Sequence, residues 1–280
     1  MTPKSVLLQL VTYPEPVPEA VIGWAAHFAS LIEAHLDVAV FEVDIQPPSN
    51  PLANVLLDLP ALAAAERERS ASQAGRYRAA LEGLDTGSGP VGVEVRRCAS
   101  WETPGLTAAE ARLHDLTLVP LLPPPSVQSE VAERVAFSSG GPSLVLPQGW
   151  AAAGASLDRV AVAWDFTAPA ARALSHALPL LQRAAEVDLL IVTGEKPIPA
   201  LASADRVLQR LARHGIEARL HQEEARGRPI GEALSGFAMD RGLDLLVMGA
   251  FGHSRFREFV LGGATRSLLE SPPCPLLLAH

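Results

Sequence analysis

Cysteine is almost missing from this chain: Cys98 and Cys274 are the only two in 280 residues. They lie far apart, with no Cys or His at metal-ligand spacing, which excludes a disulfide framework and a cysteine-based zinc site. Both read as small buried apolar residues of a reducing compartment. An excess of basic charge is missing too. Lys and Arg number 23 against 31 Asp and Glu, a net charge of −8. A sequence-independent nucleic-acid binder needs a basic face for the phosphates, so that class is set aside. Long apolar runs are also lacking. Val6 to Val11 is broken by Gln9 and is too short for a signal peptide's apolar region. Leu116 to Leu122 runs into Pro123-Pro124-Pro125, so no membrane-spanning helix is expected. These absences suit a soluble cytoplasmic protein with neither nucleic acid nor membrane as partner.

What is present is a core and a repeat. Hydrophobic residues make up 48% and charged residues 19%, ample for burial and too little charge for a disordered chain. Lys4 to Thr12 reads as a buried strand. Apolar residues at helical spacing follow from Pro18 (Val21, Trp24, Ala25, Phe28, Leu31, Ile32), then a strand over Val38 to Val43. A proline-rich loop, a long helix over Ala61 to Leu84 and a strand V-G-V-E-V come next. The half closes with a helix over Thr107 to His114, a strand over Leu116 to Leu121, a helix over Val127 to Phe137 and a strand over Ser143 to Leu146.

After a linker at Gly149 to Ser156 the pattern restarts. R-V-A-V-A-W-D (159–165) repeats S-V-L-L-Q-L-V (5–11), and V-D-L-L-I-V (187–192) repeats L-D-V-A-V-F (36–41). D-L-L-V-M (244–248) matches D-L-T-L-V (115–119), and residues 264–278 run against 132–146 without a gap. A repeat of about 140 residues is domain-sized rather than solenoid-sized. Two tandem α/β domains are expected, over residues 1–150 and 151–280. Each would be a five-stranded, mainly parallel sheet of Rossmann-like type with helices on both faces.

The halves differ at the ends of their strands. Asp165 closes the first strand of the second half, where the first half has Val11. Gly249, Gly252 and Gly262 follow its fourth strand, where the first half has the proline-rich P-L-L-P-P-P-S. Prolines lack the N–H groups of a phosphate cradle, so at most one competent site is expected, in the second half. Ligands of open α/β sheets sit outside the carboxyl ends of the strands, near the reversal of strand order. Asp165 can accept hydrogen bonds from a sugar hydroxyl or an amine. The glycines let the backbone approach a phosphate. Gly262 to Thr265 lies where a helix would start, with unpaired N–H groups facing an anion. His253, Arg255 and Arg257 add positive charge. Taken singly, each feature has a plain alternative: G-x-x-G as a turn, Asp165 as a helix cap or turn residue, the arginines as solvated.

G-A-F-G-H-S-R-F-R-E-F-V-L-G-G (249–263) resembles the G-2x-G-9x-G-(S/T) signature of the universal stress proteins. Asp165 resembles that family's aspartate after the first strand. R-G-R-P-I-G-E-A-L (226–234) is similar to its glycine-x-proline lead into the fourth helix, and C-P-L-L-L (274–278) to its final strand. The resemblance implies the adenine nucleotide α-hydrolase-like fold and a ligand such as ATP, AMP or ADP, with or without Mg. Asp165 would meet the adenosine and Val192 would line the adenine. Gly249 and Gly252 would meet the ribose and first phosphates, and Gly262, Gly263 and Ala264 the outer ones. Gly263 departs from the signature's Ser or Thr. Losing one neutral hydrogen bond costs about 0.5–1.5 kcal/mol, roughly tenfold in affinity at most. Thr265, two residues on, is the nearest hydroxyl.

Three functions follow from this. The first is a nucleotide-binding stress-response protein whose turnover is slow or absent. The second is an interaction or dimerisation module with a vestigial site, and the third a slow ATP-hydrolysing or phosphoryl-transfer enzyme. No G-x-x-x-x-G-K-[ST], G-x-S-x-G or H-E-x-x-H occurs to support the last. The family pairs subunits through its final strand. Leu144 to Leu146 and Leu276 to Leu278 are therefore expected to pair inside this chain, leaving a homodimer beyond that pair open.

Overall fold

The computed structural model describes residues 3–46, 58–122, 127–150, 156–194, 203–250 and 263–280. The first half runs β1 (Ser5–Val11), α1 (Ala20–Leu31), β2 (His35–Val43), α2 (Leu59–Leu81), β3 (Gly92–Cys98), α3 (Thr103–Ala111), β4 (Leu116–Pro120), α4 (Gln128–Ser138) and β5 (Ser143–Leu146). The second runs β6 (Arg159–Ala163), α5 (Ala168–Leu181), β7 (Glu186–Thr193), α6 (Ala204–Arg213), β8 (Ala218–Glu224), α7 (Ile230–Arg241), β9 (Leu245–Gly249), α8 (Gly263–Glu270) and β10 (Leu276–Ala279). All ten strands form one sheet in the order β3-β2-β1-β4-β5-β10-β9-β6-β7-β8. Within each half every pair is parallel. Helices cover both sides, which is why the inner strands are continuous apolar runs rather than alternating ones. Val6 to Val11 is buried throughout, Gln9 included.

The halves meet where the sequence placed their join. β5 and β10 pair antiparallel, with Leu277 opposite Leu144 and Leu276 opposite Val145. That contact consumes two strand edges that would otherwise lie bare. The edges that remain, β3 and β8, carry charge on their open faces: Glu94, Arg96 and Arg97 on one, Arg219, Glu223 and Glu224 on the other. The antiparallel join also reverses direction, so the carboxyl edge of one half lies on the side of the other's amino edge.

Hydrogen bonding repeats between halves. Asp115 Oδ2 accepts from the backbone N–H of Lys4 (2.8 Å) and Ser5 (3.1 Å), and Asp244 Oδ2 accepts from that of Arg159 (2.9 Å). Val6 pairs with Leu116 as Val160 pairs with Leu245. The strand alignments therefore hold, with one correction. Leu121 donates to the carbonyl of Leu146, while the equivalent Ala250 donates to that of Ala279 (both 2.8 Å). The last strand is thus slipped one residue from the gapless match of 264–278 to 132–146, because Pro142 and Pro275 hold the same place before it. A second correction concerns α3. It starts at Thr103 rather than Thr107, since Pro104 fits a first helical turn, where an N–H is not needed.

Both cysteines are buried and free. Burial raises both thiol pKa values, that of Cys274 to about 12, which keeps both sulfurs protonated and unreactive at neutral pH.

Candidate functional site

In each half the chain order of strands, numbered from one to five, becomes 3-2-1-4-5 across the sheet, so strand order reverses between the first and fourth strands. In the second half those are β6 and β9, neighbours with Ala163 paired to Met248. Asp165 lies two residues past Ala163 and Gly249 closes β9, so the two predicted residues stand at the carboxyl ends of neighbouring strands. Ala163 also pairs with Leu190, which sets Asp165 level with Val192 on β7. Val192 is partly buried against the core and Asp165 is exposed. The spatial set read from sequence is therefore together at three positions: Asp165, Val192 and Gly249.

Local chemistry explains how Asp165 is held. Its Oδ1 accepts from the backbone N–H of Thr167 (3.0 Å) and from the Thr167 hydroxyl (2.6 Å). Thr167 Oγ1 in turn accepts from the N–H of Ala170 (3.3 Å), which makes it the N-cap of α5. Between them Phe166 sits at φ 63°, the left-handed conformation that this tight turn demands. Asp165 is thus a turn residue that orients a cap. Its Oδ2 makes no hydrogen bond among the described residues, and the residue is exposed. Thr167 was not singled out in the sequence, although a threonine ahead of A-P-A-A is a legible cap signal.

Gly249 has a purpose besides a ligand. A Cβ there would lie 2.4 Å from the backbone N of Ala170 and 2.7 Å from the carbonyl carbon of Pro169. The first turn of α5 presses directly on β9, and only glycine permits that approach. Gly263 differs: a Cβ would meet no heavy atom within 4 Å. It is exposed at the start of α8, Ala264 is half-buried and Thr265 is buried. The first turn of α8 carries no acidic residue, so its N–H groups face no fixed negative charge from their own turn. Gly231 brings α7 against α8, since a Cβ there would lie 2.8 Å from Ser267 Cβ. The remaining predicted residues, Gly252, His253, Arg255 and Gly262, lie outside the described residues, as does Arg257.

Among the described residues no group of three or more His, Cys, Asp or Glu is arranged to hold a metal ion. Among the same residues no helix is long and apolar enough to cross a membrane.

The model of the universal stress protein family matches residues 156–280. The second half of the chain is a universal stress protein domain. A curated universal stress protein of Synechocystis sp. is 32% identical over 151 residues, which cover 52% of this chain and 49% of that one. The chain thus spans about half the length of that relative. A universal stress protein from Archaeoglobus fulgidus DSM 4304 has a similar fold at a TM-score of 0.66 and 16% identity, covering 98% of this chain and 95% of its own. A protein of unknown function from Pseudomonas aeruginosa PAO1 aligns at 0.57 and 16% identity, over 99% and 92%. Both likenesses extend across the two halves, so the stress-protein fold is shared by the half outside the family match. Asp165, Val192, Gly249 and Gly263 all fall inside the universal stress protein domain.

Proposed function

We propose that the universal stress protein domain binds ATP or another adenine nucleotide in the β6–β9 crevice, and that the protein acts by occupancy rather than turnover. One observation carries this reading. Asp165, Val192 and the end of β9 converge at the reversal of strand order, the place where open α/β sheets take nucleotides. Asp165 Oδ2 suits a ribose hydroxyl or the adenine amine. The exposed first turn of α8 suits phosphate oxygens, because a helix N-terminus concentrates unpaired N–H groups and positive potential. Gly252 and Gly262 complete the signature in sequence.

A second reading, an interaction module with a vestigial site, has its own support. Asp165 Oδ1 is committed to Thr167, Gly249 has a packing reason, and Gly263 lacks the signature hydroxyl. Titration calorimetry of the full chain with ATP, ADP and AMP separates the two. The nucleotide reading expects saturable ATP binding without ADP release. It also expects at least a tenfold loss in Asp165→Ala, because hydrogen bonds to a charged group contribute about 1.5–3 kcal/mol. No heat at millimolar ATP would transfer the case to the interaction module. Steady ADP release would favour the phosphoryl-transfer alternative.

A further inference from the structure

A cavity of about 520 Å³ lies at the join of the two halves. Arg112, Asp115 and Gly140 line it from the first half, and Ser175 and His176 of α5 line it from the second. Leu180 and Leu277 supply apolar wall. Neither half alone encloses it. Its volume falls within the range of small-molecule sites, about 300–1,000 Å³. It shares no lining residue with the set formed by Asp165, Val192 and Gly249.

The charge around it runs against the composition. The chain has 31 acidic residues against 23 basic ones, yet arginines without acidic partners gather here. Arg112 Nε donates to Ser138 O (3.0 Å), the end of α4, and the two terminal nitrogens of its fork make no hydrogen bond among the described residues. Ser175 donates its hydroxyl to Ala171 O (2.7 Å) and accepts from Arg210 Nη2 of α6 (2.7 Å), which pins that guanidinium at the rim. Arg206 and Arg213 stand one turn either side of Arg210 on the same helix face, and Arg172 stands one turn before Ser175. Arg183, Arg219 and Arg241 of the second half form ion pairs with Glu33, Glu186 and Asp188. None of the five arginines here does so among the described residues. Asp115 is the one carboxylate of the wall, and its Oδ2 is occupied by the N–H groups of Lys4 and Ser5. We propose that this cavity binds a small multivalent oxyanion, an oligophosphate or a polycarboxylate, with Arg112 as its direct contact and Arg210 held over its rim. A guanidinium presents paired N–H groups in the geometry of phosphate and carboxylate oxygens. Unneutralised arginines about a cavity also raise the local concentration of anions. Both halves supply wall, so the bound anion ties them together at their join.

The test titrates the full chain with pyrophosphate and, separately, with citrate, reading backbone amide shifts by NMR. At least one of them should shift the amides of Gly140 and His176 saturably, and which one does so separates phosphate from carboxylate chemistry. Arg112→Gln should weaken that binding about tenfold, the value of one hydrogen bond to a charged group. Arg210→Gln should weaken it about threefold. Arg97→Gln removes the same charge at the β3 edge and should leave it unchanged. No shift at Gly140 and His176 with either anion overturns the proposal, even where heat is released, because the anion is then bound elsewhere. An equal loss in Arg97→Gln overturns it as well, since the protein's general field would then be responsible. Shifts with a hexaglutamate peptide alone would make the place a docking face for an acidic protein and overturn the small-ligand assignment. Failure of ATP to bind sinks the nucleotide reading and leaves this cavity to be decided by its own titrations.

Discussion

The two carboxyl edges of this sheet share one scaffold and differ in the residues they carry. In the first half Val11 and Phe41 stand where the second half has Asp165 and Val192, and both are buried. Thr12 follows, beside a cavity of about 440 Å³ that it lines with Ser70 and Gln73 of α2. Its hydroxyl donates to Phe41 O (2.9 Å), accepts from the N–H of Val43 (3.2 Å) and meets Ser70 Oγ of α2 at 2.7 Å. Tyr77, also on α2, donates to Val17 O at 2.6 Å with a second contact to Val11 O at 3.2 Å. Burial pushes its phenol pKa well above the ordinary value. α2 has 23 residues against 10 for α6 in the matching position. The longer helix is stitched to the strand ends by buried hydroxyls. A fold can keep its scaffold while the residues at its strand ends change.

The sharpest way to break the comparison is at Gly249. Its counterpart is Pro120, which lines a small cavity of about 90 Å³ with Pro18, Ala20 and Val21 of the α1 lead-in. Helix α1 stands off β4 there, whereas α5 touches β9. Gly249→Ala would set a methyl against the α5 backbone, so α5 must shift. A loss of about 2–4 kcal/mol in denaturant unfolding is expected even without nucleotide, while Pro120→Ala should cost under about 1 kcal/mol. Equal costs would mean that the close approach of α5 is not what Gly249 serves.

Much of this was legible in the residues. Buried strands announce themselves as apolar runs, and the repeat exposes which positions the fold needs in both copies. Asp165 and Gly249 could be placed at strand ends because strand ends and turn glycines are local signals. What escaped depends on distance along the chain. Thr12 meets Ser70, and Tyr77 meets Val11, across some sixty residues, with no periodicity to join them. The packing role of Gly249 is visible only once α5 is seen against β9. The slip in the last strand hides behind similar leucines, which fit either register equally well in sequence.

A smaller effect tests whether the first-half stitch is purely structural. Tyr77→Phe removes the donor to Val17 and Val11 but keeps the ring, leaving a buried carbonyl short of a partner. The cost should be about 1–2 kcal/mol in unfolding free energy. ATP affinity, measured by calorimetry under conditions where the variant stays folded, should not move. A drop in affinity matching the drop in stability would mean that the carboxyl edge of the first half communicates with that of the second.

The smallest expected effect is the most informative about the ligand. Gly263→Ser restores the hydroxyl that the stress-protein signature carries, at a position where an added Cβ meets open space. Stability should rise by no more than about 0.5–1 kcal/mol, because serine is a better helix residue than glycine. ATP affinity should improve by up to roughly tenfold, the value of one hydrogen bond. Those two gains can be separated by unfolding the apo protein and titrating the folded one. If stability rises while affinity stays put, the first turn of α8 does not face the phosphates. The nucleotide reading would then give way to the interaction module.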